Sequence, residues 1–95
     1  MKREQALKLL REHKQEFEER YGITKLGIFG SVARDEANER SDVDVVVEMP
    51  PDMFARVSLK EELETILRSK VDIVRYWRRM NQYLKRRIDR EAYYV

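Results

Sequence analysis

The sequence predicts an α/β fold of the α+β kind: a small mixed β-sheet with helices packed on it, in a single domain spanning residues 1–95. Three observations predict it. Apolar residues recur at helical spacing in stretches that alternate with short β-prone runs. The order reads helix, strand, helix, strand, helix, strand, helix. A chain of 95 residues has room for one modest core and no second one.

The elements follow in order. Residues 3 to 20 form a helix, because Ala6, Leu7, Leu10, Phe17 and Tyr21 recur at helical spacing among charges. Gly22 stops it. Ile23 to Phe29 (ITKLGIF) is a strand. Gly30-Ser31 opens a short helical stretch over Val32 to Ala37, and Asn38-Glu39-Arg40-Ser41 is a polar loop. DVDVVVE, residues 42–48, alternates and then becomes continuously β-branched, which makes it the strongest strand. Pro50-Pro51 ends it. A helix covers Phe54 to Arg68, with Leu59, Leu63, Ile66 and Leu67 on one face. Ser58 and Glu61 have capping-box spacing, which allows a regular start only there. Val71 to Val74 (VDIV) is the third strand. The last helix runs from Asn81 to Arg90, with Leu84 and Ile88 as an i,i+4 apolar pair.

Composition narrows the class. Hydrophobic residues make up 42% and charged residues 40%, which excludes wholesale disorder and suggests salt-bridged surface helices. Cysteine is absent, so disulfides and thiolate metal sites are excluded. No apolar run approaches the ~20 residues of a membrane helix. The charged start MKREQALKLLREHK lacks the apolar centre of a signal peptide. A cytoplasmic protein is the expectation. A net charge of +2 is too small to argue for nucleic acid.

The chemistry concentrates around residues 30 to 44. In a strand, residues i and i+2 share a face. Asp42 and Asp44 therefore project side by side, while Val43, Val45 and Val47 point to the core. Carboxylates held that close repel, and a divalent cation with a taste for hard oxygen ligands removes the repulsion. Asp72 is a third carboxylate, set inside VDIV. If that strand lies beside 42–48, the three meet on one face and can hold two ions roughly 3.5–4 Å apart, as for in-line displacement at phosphorus. Gly30-Ser31 complements them. A glycine between strand and helix lets a phosphate approach the backbone N–H groups. Ser31 adds a hydroxyl, and Arg34, about one turn on, adds a charge.

Gly30-Ser31, ten intervening residues, then Asp42-Val43-Asp44 resembles the signature of the nucleotidyltransferase superfamily related to DNA polymerase β. The GSVAR opening, the VDIV carboxylate and the short chain resemble the minimal nucleotidyltransferase subfamily, which includes the MntA-type antitoxins paired with HEPN-domain toxins. The resemblance implies the nucleotidyltransferase fold. It implies that Gly30 and Ser31 bind the triphosphate of ATP and that Asp42 and Asp44 ligate both metals, Mg²⁺ or Mn²⁺. Asp72 would ligate one metal and help deprotonate the attacking hydroxyl. Arg34 is an extension from position. One departure stands out: Asp35 occupies a place where the family often has glycine.

The resemblance further implies transfer of AMP from ATP to a hydroxyl, a tyrosine in the first instance, of a HEPN-type ribonuclease toxin. A chain of this length is expected to lack a second region to hold a small acceptor, and that expectation favours a protein acceptor. Two other readings stand beside it: an antitoxin that neutralises by binding alone, and small-molecule nucleotidyltransfer by a homo-oligomer. His13, the only histidine, reads as an ordinary helix residue, and Met49, Met53 and Met80 as core or turn fillers. The stretch 75–90 holds seven basic residues against one acid. It reads as a solvated face or a surface for an acidic protein partner, with nucleic acid the lesser reading. Tyr93 and Tyr94 either pack on the sheet or serve an interface.

Overall fold

The computed structural model describes residues 1–95. Its backbone runs α1 (Arg3–Tyr21), β1 (Lys25–Phe29), α2 (Gly30–Ala33), β2 (Val43–Glu48), α3 (Met53–Leu67), β3 (Val71–Arg75), α4 (Gln82–Glu91) and β4 (Tyr93–Tyr94). The four strands form one mixed sheet in the order β3-β2-β1-β4. The β1–β2 and β1–β4 pairs are antiparallel, and the β2–β3 pair is parallel. A parallel pair needs a long crossover, and α3 is that crossover.

Strand alternation divides the core in two. Val43, Val45 and Val47 join Leu26 and Ile28 on one sheet face, under Ala6, Leu7, Leu10 and Phe17 of α1 and Leu59, Leu63 and Leu67 of α3. Val46 lies on the opposite face with Phe29, Met80 and Ile88, where α4 covers the sheet. Asp44 shares that second face with Val46, because it is two residues away in the same strand.

Several boundaries differ from those expected. The first strand begins at Lys25 rather than Ile23, because Ile23 packs into the core as the chain leaves the left-handed cap at Gly22. The third helix begins at Met53, where the Asp52 carboxylate accepts the Ala55 N–H at 3.0 Å. Asp52, not Ser58, is the cap; Ser58 lies exposed inside the helix. The short helix spans Gly30–Ala33 instead of Val32–Ala37 and is broken by Asp35, whose φ of 57° leaves the helical region. Asp35 thus takes the left-handed conformation that a glycine adopts freely, and its carboxylate accepts the Arg3 N–H at 2.8 Å. β4 was not foreseen. Tyr93 and Tyr94 add a short strand to the β1 edge, so they belong to the sheet.

Two kinds of contact join α1 to α3. Arg20 bridges Glu62 at 2.6 Å and Glu16 at 3.0 Å, and the Tyr21 hydroxyl donates to Glu62. Burial and the bond to Glu62 push the Tyr21 phenol up to about 12, while Arg20 draws the Glu62 carboxyl below its ordinary value. A half-exposed ion pair of this kind is worth ~0–1 kcal/mol. Truncating a buried leucine costs about 2–5 kcal/mol. Packing therefore outweighs the bridge. In denaturant titrations, Leu63→Ala should cost about 3 kcal/mol and Glu62→Gln less than ~1 kcal/mol. The Glu62 share is present above the ordinary glutamate value and lost as pH falls through the lowered one. A Glu62→Gln cost equal to that of Leu63→Ala would refute this ranking.

Candidate functional site

The site lies at one end of the sheet. β1 runs antiparallel to β2 and β3 runs parallel to it. The C-terminal end of β1 therefore meets the N-terminal ends of β2 and β3. The register pairs Phe29 with Asp44 and Asp44 with Asp72. Gly30 follows Phe29 directly, so the Gly-Ser turn lands on the aspartates.

Gly30 has φ of 74°, and a Cβ at this position would fall onto the Asp44 carboxylate oxygen Oδ2. Both facts exclude a larger residue. The glycine lets the carboxylate lie against the backbone at the strand–helix junction.

Asp44 is half-buried and Asp72 exposed. Burial pushes the Asp44 carboxyl above its ordinary value, and the charges of Asp72 and then Asp42 push it the same way; Arg87 and Arg34 pull against them. The raised value means that the ionised form is held at a cost. That cost weighs on the folded state at neutral pH and lifts as pH falls through the raised value. Asp42 stands exposed one residue before β2 and lines a cavity of about 360 Å³ with Arg40, Arg68 and Lys70. No three His, Cys, Asp or Glu side chains form a ready-made ion cage. The donor set nevertheless suits a hard divalent cation: carboxylate oxygens only, with negative charge on a half-buried member that Arg87 and Arg34 relieve only in part.

Ser31 is half-exposed at the start of α2. Arg34 is already engaged. Its Nη1 donates to Glu91 at 3.1 Å and its Nε to Glu36 at 3.0 Å. Two residues that the motif did not reveal thus enter the site. Glu91, at the end of α4, also accepts the Gly30 N–H at 3.1 Å and pairs with Arg87 at 3.4 Å. The Arg87 guanidinium lies over the Phe29 ring at 5.6 Å. A carboxylate therefore occupies the place made by the Gly30 N–H and two guanidinium groups, which marks that place as one that holds anions. The i,i+4 spacing of Arg87 and Glu91 was the only sequence signal for it.

A family-wide sequence profile of the nucleotidyltransferase domain matches residues 10–95. The chain is similar to the protein adenylyltransferase MntA of Thermococcus cleftensis, with 41% identity over 73 residues, 75% of this chain and 74% of that protein. It is similar to a solved structure described provisionally as a minimal nucleotidyltransferase, with 36% identity, TM-score 0.78, and coverage of 98% of this chain and 95% of that one. It also shares its fold with a Shewanella oneidensis structure of a tri-AMPylated HEPN toxin in complex with an MNT antitoxin. There the identity is 23%, the TM-score 0.59 and the coverage 97% of this chain and 66% of that one.

Relief of charge crowding can be measured directly. Without divalent ions, Asp44→Asn should raise the unfolding midpoint by about 2–5 °C, on the scale of about 4–8 °C per kcal/mol for a domain of this size. Millimolar Mg²⁺ should raise the midpoint of the wild type and leave that of Asp44→Asn nearly unmoved. A variant less stable than the wild type in the absence of ions would contradict the crowding.

Proposed function

The chain belongs to the nucleotidyltransferase domain family, and from that premise we propose that it is a metal-dependent antitoxin that transfers AMP from ATP to a tyrosine hydroxyl of a HEPN-type ribonuclease toxin. One observation carries the reading: the sheet register sets Asp44 beside Asp72 and directly under Gly30. The residues proposed for phosphate and those proposed for its cation thus lie at the same end of the sheet, which supports the reading. The similarity to a protein adenylyltransferase supports the reaction type. The shared fold with an MNT antitoxin seen beside an AMPylated HEPN toxin supports the partner.

Asp42, Asp44 and Asp72 would hold Mg²⁺ or Mn²⁺, which when bound supplies charge neutralisation and polarisation at the phosphates. The remaining work falls to the chain itself. The Gly30 N–H, the Ser31 hydroxyl and the Arg34 guanidinium bind phosphate oxygens. Two of these groups now hold the Glu91 carboxylate, so the triphosphate takes over contacts the chain makes to itself. Asp72 accepts the proton of the attacking hydroxyl. The tyrosine oxygen bonds to the α-phosphorus, the bond from that phosphorus to the bridging oxygen breaks, and pyrophosphate leaves. The added AMP brings bulk and negative charge to the toxin, which disturbs a surface that binds RNA.

The test uses ATP labelled at the α-phosphate, Mg²⁺, this chain and its candidate HEPN toxin. Label should enter the toxin and toxin ribonuclease activity should fall. Asp42→Asn with Asp44→Asn should abolish both effects. Arg34→Ala should raise the KM for ATP severalfold, as loss of one charge-assisted hydrogen bond to a phosphate would. Neutralisation that survives the double aspartate change would instead identify a binding-only antitoxin.

A further inference from the structure

α3 carries two apolar faces. Leu59, Leu63 and Leu67 are buried against the sheet. Met53, Phe54 and Val57 lie on the other side of the helix and face water, with exposures of 70%, 88% and 52%. Trp77, which follows β3, is 42% exposed and shares with Met53 the wall of a cavity of about 300 Å³. A phenylalanine left almost wholly in water is unusual in a chain that is 40% charged. Four such side chains together form a patch of the kind that marks an interaction surface.

The charges around the patch are mainly positive. Arg56 and Arg75 line the same cavity, and Arg78 and Arg79 follow Trp77 in the chain. None of the four forms a salt bridge, and of them Arg75 donates its Nε to the Met49 carbonyl at 2.8 Å. The Arg75 guanidinium lies over the Trp77 ring at 5.4 Å, which braces the indole. Asp52, the acid among them, is committed as the helix cap. The patch also lies away from the aspartates. Trp77 is five residues beyond Asp72 along an extended segment, a distance of roughly 15 Å. A nucleotide bound at the aspartates leaves it free.

We propose that this surface docks the protein acceptor of the transfer reaction, through a face of that partner that combines apolar side chains with carboxylates. The inference rests on the reading of the chain as a protein adenylyltransferase. Charge complementarity selects the partner: unpaired arginines around an apolar centre call for acids around an apolar centre. RNA would also answer the charge and find rings in Phe54 and Trp77, but the aliphatic half of the patch, Met53 and Val57, suits the apolar side chains of a protein rather than stacked bases. The helix stripe at 53, 54 and 57 fits the ridge of another protein's helix or strand.

The experiment measures equilibrium binding of the candidate HEPN toxin, without ATP, to the full chain and to three variants. Phe54→Asp with Val57→Asp removes the apolar centre, and Arg78→Glu with Arg79→Glu reverses the rim. Lys8→Glu with Arg11→Glu changes exposed charges of α1 as a control. Both patch variants should bind the toxin at least tenfold more weakly, with unfolding midpoint and ATP-analogue affinity unchanged. The control should bind as the wild type does. In the transfer assay the same variants should raise the KM for toxin and leave that for ATP alone. Patch variants that bind toxin as the wild type does would overturn the docking site while leaving the transfer reaction standing. Patch variants that keep toxin binding but lose self-association in ultracentrifugation would assign the surface to a second copy. Loss of binding to a single-stranded RNA, with toxin binding intact, would assign it to nucleic acid. A wild type that neither labels nor binds the toxin would remove the partner, and the docking site with it.

Discussion

The structure turns on one close contact, the Asp44 carboxylate lying against the backbone of Gly30. A side chain at position 30 would displace that carboxylate, and a different register would separate it from Asp72. The contact sets like charges side by side in a half-buried place, which works against folding. The core that tolerates it is supplied on the opposite sheet face, where Val43, Val45 and Val47 pack under α1 and α3. One strand thus turns Val43, Val45 and Val47 to one core and, on its other face, sets Asp44 beside the buried Val46.

The second sheet face is held differently. Ile88 anchors α4 over Phe29 and Val46, and one turn later Glu91 reaches the Gly30 N–H and Arg34. Arg87 of the same helix reaches over Phe29 and weighs on the charge of Asp44. α4 is therefore both a cover for the sheet and the source of the charged groups that face the Gly-Ser turn. β4 continues from it and closes the β1 edge, so the helix, the edge strand and the turn form one connected unit.

Much of this was legible in the sequence because strand geometry is rigid. A period of two fixes which residues of DVDVVVE face the core, and an acid inside VDIV marks the neighbouring strand. Asp42, Asp44 and Asp72 could be singled out on that ground, and Gly30 and Ser31 as the turn between strand and helix; the structure gathers Gly30, Asp44 and Asp72 at one sheet end. What escaped has equally physical reasons. Arg34 reads as a free charge in sequence, yet it is held by Glu91, 57 residues away. Capping signals are degenerate, so the Ser58–Glu61 spacing suggested a start that the structure instead places at the Asp52 cap. The strand at Tyr93–Tyr94 is too short to carry any periodicity. Asp35 adopts a conformation that its residue type only occasionally permits. Each miss involves a contact distant in sequence or an element too brief to have a pattern.

The central claim is that the end of the sheet holding Gly30, Asp44 and Asp72 is where a divalent cation binds. Titrating Mn²⁺ into uniformly ¹⁵N-labelled protein, and following which amide resonances its unpaired electrons broaden, tests this without recourse to activity. Broadening should begin at Gly30, Ser31, residues 42–44 and Asp72, and Asp42→Asn with Asp44→Asn should eliminate it. Broadening that begins instead among the glutamates of α1, or that persists in the double variant, would contradict the account.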